Sequence, residues 1–342
     1  AGLNKAARNH ILIRDTSALE QMRNVDVVVF DKTGTLTEGH PTVIGWLWAQ
    51  GQEEHYKDVL LAAESTSDHP LAEAIVTALE GEEQVIPAHL DGFENITGKG
   101  VRVAYQGAEY WVGSHKLLKD YQANLSDILA DMLTQYESDG NSIVYFGREN
   151  DLLAVIAIKD QLRVTSMEAI RELRIQDIEI CMLTGDGERT ASSVAGSLGI
   201  MRFVADAMPD DKEDFIHKLQ LQGKTVAMVG DGVNDAQALS CADVSIAMGK
   251  GTDTLMDTAM ITLRTSDLLL LPKVFRLSRQ TVSLMYRNLF WAFIYNTVGI
   301  FVAAGVLYPV YDILLSPALA GAAMALSCVS VALSSLRLSS RF

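Results

Sequence analysis

The sequence predicts an α/β fold, in which a doubly wound parallel sheet is interrupted by an inserted α+β domain and followed by a transmembrane helical hairpin. Short apolar runs that end in polar motifs alternate with helical segments, a pattern typical of parallel sheets. Between residues 42 and 151 the pattern changes to short strands with glycine turns. Two uncharged runs, 289–309 and 313–333, are each long enough to cross a bilayer core.

The first strand of the parallel sheet ends in a candidate nucleophile. Val25 to Phe30 is a β-branched apolar run typical of a buried parallel strand, and Asp31 follows at its carboxyl end. Ligands bind at that edge of open α/β sheets. Gly34 allows a tight turn there, and the neighbouring threonines offer hydroxyl and N–H groups to an anion. A carboxylate in such a turn can attack a phosphoryl group and become an aspartyl phosphate, although an isolated Asp-Lys-Thr-Gly is more typical of an aspartate that caps a turn.

Polar groups also follow the later strands of the predicted sheet, and the parallel topology brings them to the same edge. Phosphoryl transfer from ATP needs neutralisation of charge and well-placed hydrogen-bond donors. Lys212 can neutralise phosphoryl oxygens, while Thr184 and Asn234 can donate hydrogen bonds to them. The strands that precede these motifs are predicted at 152–158, 178–183 and 225–229.

The same edge offers oxygen ligands for a magnesium ion. Asp231 stands in the segment GDGVND directly after a predicted strand, at the same edge of the predicted sheet as Asp31. Carboxylates and backbone carbonyls are the ligands that Mg²⁺ prefers. We therefore expect Asp31, the Thr33 carbonyl and Asp231 to bind Mg²⁺, with Asp235 supporting that site.

The motifs DKTGTLT, TGD and GDGVND, with Lys212 between the last two, resemble the haloacid dehalogenase superfamily in its P-type ATPase version. The resemblance covers nearly the whole chain. It implies further site residues: Lys32 and Thr33 beside Asp31 in the phosphorylation motif, Gly185 and Asp186 in a hinge-side motif, and Asp160 at the nucleotide-facing edge.

One position distinguishes an ATPase from a phosphatase. Phosphatases of this superfamily carry a second aspartate two residues after the nucleophile, where it serves as general acid and base. Thr33 occupies that position here. Without a built-in base the acyl phosphate is expected to persist, as a pump requires.

The inserted domain resembles the nucleotide-binding domain of heavy-metal P-type ATPases. In that domain a glutamate, a histidine before proline and a Gly-x-Gly segment line the adenine pocket. The matching residues here are Glu64, His69 of SDHP, and Gly98 and Gly100 of TGKGV, with Gly113 as a further glycine of the pocket. Taken alone, His69 is more typical of a capping or packing residue.

The two uncharged runs resemble the last two membrane helices of the copper-transporting class. The first carries Tyr295 and Asn296, and the second carries Met324 and Cys328. The two sulfur residues are four positions apart, on one helix face, and soft sulfur ligands suit Cu(I). The class resemblance implies that these four residues bind the transported Cu⁺. Packing between helices is the alternative interpretation of such residues.

Charge and cysteine content exclude some classes of function. The 342-residue chain has a formal net charge of −15, so the basic surface of a nucleic-acid-binding protein is absent. Its three cysteines are widely spaced, which fits a reducing cytoplasm and argues against a disulfide framework. Basic residues flank the paired apolar runs, whose connecting turn lacks them, so both ends of the hairpin are expected in the cytoplasm.

These observations predict a multi-pass protein of the cell membrane with cytoplasmic catalytic domains, and the chain is expected to be the C-terminal piece of a longer protein. Upstream membrane helices and an actuator domain of the same parent chain are the expected partners, together with membrane lipid. The predicted division is a linker at 1–21, a phosphorylation domain at 22–41 and 152–265, a nucleotide-binding domain at 42–151, a connecting helix at 266–288, membrane helices at 289–309 and 313–333, and a tail at 334–342.

The leading hypothesis is the catalytic half of a Cu(I)-exporting P-type ATPase. One alternative is a pump for another transition metal, such as zinc, cadmium or silver. A second is a membrane-tethered phosphatase of the same superfamily, against which Thr33 and the inserted domain argue. A third is a regulatory nucleotide-binding module without turnover, although the phosphotransfer motifs are all present.

Overall fold

A computed structural model of the chain describes residues 2–49, 53–67, 69–82, 85–123, 127–231, 235–249 and 259–304, together with positions 321, 329 and 331. The strands in these ranges are β1 (Ile11–Ile13), β2 (Val27–Asp31), β3 (Thr42–Trp48), β4 (Gly92–Ile96), β5 (Gly100–Tyr105), β6 (Ala108–Gly113), β7 (Ser142–Arg148), β8 (Asp151–Lys159), β9 (Glu179–Leu183), β10 (Arg202–Val204), β11 (Val226–Gly230), β12 (Val244–Met248) and β13 (Ile261–Leu263). The helices are α1 (Gly2–Arg8), α2 (Ser17–Arg23), α3 (Glu53–Glu64), α4 (Pro70–Glu80), α5 (His115–Asp120), α6 (Asp127–Ser138), α7 (Ser166–Ile175), α8 (Glu188–Ser197), α9 (Pro209–Leu221), α10 (Ala236–Cys241) and α11 (Leu270–Ala303).

The first sheet has seven strands in the order β1-β13-β12-β11-β2-β9-β10, and all neighbours are parallel except β1 and β13. Its interior strand β2 is buried on both faces, because alternate residues enter two different cores. Val28 and Phe30 pack with α7, α8 and α11, whereas Val27 and Val29 pack with α9 and α10. The predicted doubly wound α/β fold is confirmed for this part of the chain.

The second sheet is antiparallel and has six strands in the order β3-β8-β7-β6-β5-β4. Helices α3 and α4 cover one of its faces, where Leu60 and Ile75 enter the core. Helices α5 and α6 supply Leu117 and Leu133 to a smaller core with Trp111. The strands and helices from β3 to β8, which lie in the chain between β2 and β9 of the first sheet, therefore build a separate α+β domain.

Strand β8 differs from its expected place. The sequence predicts 152–158 as a strand of the parallel sheet. In the structure, β8 instead pairs with β3 and β7 in the second sheet. Its run of apolar residues fits either sheet, because the core of the second sheet is also closed on both sides by helices. The chain returns to the first sheet only after Asp160.

The N-terminal segment also differs from a simple linker. Residues Ile11 to Ile13 form an edge strand antiparallel to β13, and the Arg264 N–H donates to the His10 carbonyl at 2.8 Å. Helix α5 ends at Asp120, and helix α6 begins at Asp127. These segments gain tertiary partners that local sequence patterns do not reveal.

Helix α11 is continuous from Leu270 to Ala303 and joins the predicted connecting helix to most of the first predicted membrane helix. Among the described residues, no helix is both long and apolar enough to cross a membrane. The structure therefore gives no support to the predicted transmembrane hairpin, most of whose second run, 313–333, lies outside those residues.

Candidate active site

The turn after β2 fixes the candidate nucleophile at the carboxyl edge of the first sheet. Asp31 is the last residue of β2 and only 5% exposed. Gly34 follows with a φ of +71°, and a Cβ there would overlap the Asp231 carboxylate. The Gly34 N–H donates to Thr37 Oγ1 at 2.9 Å, which closes the turn. Glycine is therefore required so that this turn can lie directly against Asp231.

Lys212 joins two carboxylates of this edge. Its Nζ lies 2.6 Å from Asp31 Oδ1 and 2.8 Å from Asp235 Oδ1. The lysine stands in the first turn of α9, where the Met208 N–H donates to the Asp211 carboxylate at 2.9 Å. Burial alone lowers the pKa of Lys212, but the two carboxylates outweigh it and hold the pKa above its usual range. The site therefore holds a buried, permanently charged ammonium.

Asp31, Asp231 and Asp235 form a carboxylate cluster whose oxygen atoms lie within 4.8 Å of one another. Burial, with Asp31 as the nearest like charge, raises the pKa of both Asp231 and Asp235 to about 7. Negative charge at this edge therefore exceeds what Lys212 compensates. Hard oxygen ligands around such a site fit a magnesium ion, and Gly34 leaves the room for one carboxylate to approach.

A second lysine–carboxylate pair lies beside the first. Lys32 Nζ is 2.5 Å from Asp186 Oδ2 and donates to Ser142 Oγ at 3.1 Å. Thr184 Oγ1 donates to the Asp186 carboxylate at 2.8 Å. Burial raises the pKa of Asp186, but the Lys32 ammonium outweighs it and holds the pKa below its usual range. The TGD motif, with Gly185 between Thr184 and Asp186, therefore positions Lys32.

His69 and Glu64 lie at the neighbouring ends of α4 and α3. His69 is the N-cap of α4, because its Nδ1 accepts a hydrogen bond from the Leu71 N–H at 3.2 Å. The ring therefore carries its proton on Nε2, and it lies within electrostatic range of Asp186 and Lys32. Glu64 is buried at 7% exposure, and burial raises its pKa to about 7. His69 can therefore cap α4 through Nδ1 and still contact a nucleotide through Nε2.

The glycines of the second sheet cluster where β5 meets β6. Gly100 pairs with Gly113, and a Cβ on Gly100 would lie 2.1 Å from the Val112 carbonyl oxygen. Gly98 faces Met208 of the first domain, where a Cβ would lie 2.9 Å from the methionine Cε. The Ser114 hydroxyl beside them is buried without a hydrogen-bond partner among the described residues. The missing side chains of Gly98 and Gly100 are therefore needed for close packing against Met208 and against β6.

Asp160 lies at the junction of the two sheets and not at the glycine cluster. Its Oδ1 accepts from the Gly39 N–H at 3.1 Å, and its charge contributes to the raised pKa of Asp231. Its Oδ2 is buried without a partner in the described part of the chain.

Arg163 is a site residue that the sequence analysis missed. The buried guanidinium donates to the Thr35 carbonyl at 2.9 Å and also to the Gly34 carbonyl, so it fixes the turn that follows Asp31. Its position three residues after Asp160 carried no recognisable motif in a single sequence. The same holds for Ser142, which contacts Lys32 from the second sheet.

Several predicted site residues fall outside this geometry. Asn234, Met324 and Cys328 lie outside the described residues. Tyr295 and Asn296 are exposed on α11, and the Tyr295 ring lies against Trp291 with centroids 5.8 Å apart. The structure thus brings together the described members of the phosphoryl-transfer set, and it describes only two of the four predicted copper ligands.

A family model described as haloacid dehalogenase-like hydrolase matches residues 25–243, which include the Asp31 turn, the TGD segment and Lys212. The chain belongs to the haloacid dehalogenase-like hydrolase family. The Asp31 carboxylate, Lys212 and the carboxylates of Asp231 and Asp235 lie in one cluster.

Known relatives of this haloacid dehalogenase-like chain bear out the resemblance to P-type ATPases. It is 42% identical over 337 residues to a copper-exporting P-type ATPase of Legionella pneumophila, covering 98% of this chain and 46% of that protein. It is 43% identical to a silver-exporting P-type ATPase of Salmonella typhimurium, covering 99% and 41% respectively. The chain therefore spans less than half the length of these curated relatives.

A solved structure of a zinc-transporting PIB-type ATPase in the E2·Pi state matches the fold with a TM-score of 0.67. The two chains are 35% identical, and the match covers 98% of this chain and 53% of the other.

Proposed function

We propose that this chain is the catalytic half of a Cu(I)-exporting P-type ATPase and forms an aspartyl phosphate on Asp31. The observation that carries the proposal is the buried cluster in which the Asp31 carboxylate meets Lys212 and lies beside Asp231 and Asp235. A nucleophilic carboxylate, a fixed positive charge and hard oxygen ligands are the groups that phosphoryl transfer from ATP requires.

In the proposed step, an Asp31 oxygen attacks the γ-phosphorus of ATP, the bond from that phosphorus to the bridging oxygen breaks, and ADP leaves with the electron pair. Lys212 stabilises the negative charge on the transferred group, and Lys32 is positioned for the same role by Asp186 and Ser142. A magnesium ion bound by Asp31, the Thr33 carbonyl and Asp231 would supply further neutralisation of the phosphoryl charge. The Thr184 hydroxyl, which donates to Asp186 in this structure, would turn to donate to a phosphoryl oxygen, and Asn234 would donate to another.

The second sheet selects the nucleotide in this proposal. Glu64, His69, Gly98, Gly100 and Gly113 line the adenine pocket of a nucleotide-binding domain at 42–151. Two features support this assignment: the buried Ser114 hydroxyl beside the glycines has no hydrogen-bond partner among the described residues, and the His69 ring holds its proton on Nε2.

Thr33 favours a pump over a phosphatase. The residue two positions after Asp31 carries no carboxyl group, so it supplies no general base to direct water at the acyl phosphate. We therefore expect the intermediate to persist until an actuator domain of the parent protein promotes its hydrolysis.

The membrane part of the proposal rests on the sequence runs and on the relatives. Residues 289–309 and 313–333 form membrane helices of a multi-pass protein whose catalytic domains face the cytoplasm. Tyr295, Asn296, Met324 and Cys328 contribute to the path of the transported ion. Copper is favoured because the Legionella relative is a copper exporter and a thioether with a thiol suits a soft cation. The silver-exporting relative fits the same soft chemistry.

The proposed intermediate is tested by labelling. With Mg²⁺ and ATP radiolabelled at the γ-phosphate, the chain in detergent should acquire an acid-stable label that hydroxylamine removes. Asp31→Asn should abolish the label because an amide does not attack phosphorus, whereas Asp214→Asn, an exposed control on α9, should retain it. Label that survives in Asp31→Asn would overturn the assignment.

The same label separates the pump from the alternatives. A pump half should hold the label after a chase with unlabelled ATP, whereas a phosphatase would lose it rapidly and a binding module would acquire none. In the full-length parent protein, Cu(I) and Ag(I) should stimulate ATP turnover more than Zn²⁺. Equal stimulation by Zn²⁺ would favour a pump for another transition metal.

A further inference from the structure

A second group of metal-ligating side chains lies outside the phosphoryl-transfer site. Glu213 and His217 are one turn apart on α9, and Cys241 is the last residue of α10. One ligand atom from each of the three side chains lies within 4.8 Å of the other two. We propose that Glu213, His217 and Cys241 form a binding site for one divalent transition-metal ion of the zinc class, with water as the fourth ligand.

The distances match the edges of a zinc tetrahedron. Glu213 Oε1 lies 3.4 Å from Cys241 Sγ and 3.5 Å from His217 Nε2. Bonds of about 2.0 Å to oxygen and nitrogen and about 2.3 Å to sulfur place tetrahedral ligand atoms roughly 3.3–3.5 Å apart. Two of the three edges therefore need almost no rearrangement. An ion bound here would replace the thiol proton, which now points at Glu213 and would leave to solvent.

The orientation of the histidine is already fixed by a neighbour. Gln220 Nε2 donates to the Cys241 carbonyl at 2.9 Å, so its Oε1 faces the histidine and accepts from His217 Nδ1–H at 3.2 Å. The lone pair of the ring therefore stands on Nε2, the atom nearest Glu213. Metal-binding histidines commonly donate their second ring N–H to an oxygen in this way. This support is what an ordinary surface pair of glutamate and histidine lacks.

The ligand types select the metal. A thiolate, an imidazole and one carboxylate form a borderline-soft set that suits Zn²⁺ and its spectroscopic substitute Co²⁺, while Mg²⁺ prefers oxygen ligands alone. His217 is exposed, and its side chain retains 50% of its accessible surface. An ion can therefore enter from solvent without opening the fold.

The site joins the two helices that carry residues of the phosphoryl-transfer cluster. Lys212 directly precedes Glu213 on α9, and Asp235 directly precedes α10. The Lys212–Asp235 ion pair links these helices at one end, and a metal ion would link them again at the end of α10. Bound zinc would thus fix the spacing that places Lys212 against Asp31.

Cobalt binding tests the site through the colour of a thiolate–metal bond. The whole chain carrying Cys328→Ser is titrated with Co²⁺ in saturating Mg²⁺, which occupies sites made of oxygen alone. Cys181, the other remaining thiol besides Cys241, is fully buried. We expect a thiolate-to-cobalt charge-transfer band whose intensity saturates at one equivalent of Co²⁺. The band should disappear when Zn²⁺ displaces the bound cobalt.

Variants then identify the ligands. Cys241→Ser should abolish the band, His217→Asn and Glu213→Gln should weaken cobalt binding at least tenfold, and Gln220→Ala should weaken it about tenfold by releasing the ring. His89→Asn, an exposed histidine of the second sheet domain, should change nothing. Far-ultraviolet circular dichroism verifies that each variant is folded. Absence of the band in the parent chain, or its persistence in folded Cys241→Ser, would overturn the proposal.

Discussion

The two sheets present their candidate sites by different physical means. At the edge of the parallel sheet, opposite charges are buried in contact, as where Lys212 lies between Asp31 and Asp235. In the antiparallel sheet domain, the site consists of closely packed glycine backbone at Gly100 and of one buried acid, Glu64, without an ion-pair partner among the described residues.

The difference between the two sites matches the different requirements of phosphoryl transfer and of nucleobase recognition. Stabilising the charge of a phosphoryl group requires fixed charges, which survive burial only when they are paired. Recognising a nucleobase requires shape and a few neutral polar contacts. Mutations at the first site should therefore change rate, whereas mutations at the second should change binding and stability.

The largest effect is expected at Lys212. Lys212→Met removes the ammonium and leaves Asp31 and Asp235 as neighbouring carboxylates without their shared cation. We expect the rate of label formation to fall by about 10²–10³-fold, roughly 3–4 kcal/mol of transition-state stabilisation. Rapid-quench phosphorylation measures it, with the exposed Lys218→Met on the same helix as control. A loss below tenfold would mean that charge pairing at this edge is not what drives the transfer.

A smaller effect, on stability, is expected at Glu64. Because burial raises its folded-state pKa to about 7 from an ordinary 4.5, the unfolded chain ionises first as pH rises. The folded state therefore loses stability between about pH 4.5 and 7, up to about 3 kcal/mol, and regains none above.

Glu64→Gln should remove that loss. Denaturant unfolding at pH 5 and pH 8 should show that the variant gains stability relative to the parent at the higher pH. Glu80→Gln, an exposed change at the end of α4, should follow the parent at both values. If the free energy of unfolding of Glu64→Gln and of the parent changed with pH in the same way, the burial of the Glu64 charge would not destabilise the fold.

The smallest effect is expected at His69, where capping and nucleotide contact can be separated. His69→Asn keeps a strong N-cap for α4 but removes the ring. ATP affinity should fall by about 1–2 kcal/mol, with the free energy of unfolding unchanged. Calorimetric titration measures it, and phosphorylation by acetyl phosphate, which has no adenine, serves as the internal control. Unchanged ATP affinity would leave His69 with a capping role alone.

The charged site was the more predictable of the two from sequence. Asp31 and Asp231 stand in motifs next to apolar strands, and parallel topology forces the ends of those strands together. Arg163 was missed because it acts through the carbonyls of Gly34 and Thr35, which any residue type could present. Contacts to backbone leave no pattern in the partner's sequence.

Sheet membership was harder to predict than strand position. The apolar run of β8 fits a buried strand in either sheet, and only its pairing with Thr42–Trp48 decides which one it joins. The edge strand at Ile11 similarly depends on a partner 250 residues away. Such long-range pairing is invisible to local periodicity.

The most direct test of the account is to locate the phosphate. The chain is incubated with Mg²⁺ and ATP, quenched in acid and treated with borohydride, which reduces an aspartyl phosphate to homoserine. Mass spectrometry of the peptide that contains Asp31 should then show homoserine at that position, and only after incubation with ATP. Modification at Asp231, Asp235 or a hydroxyl side chain, with Asp31 unchanged, would contradict it.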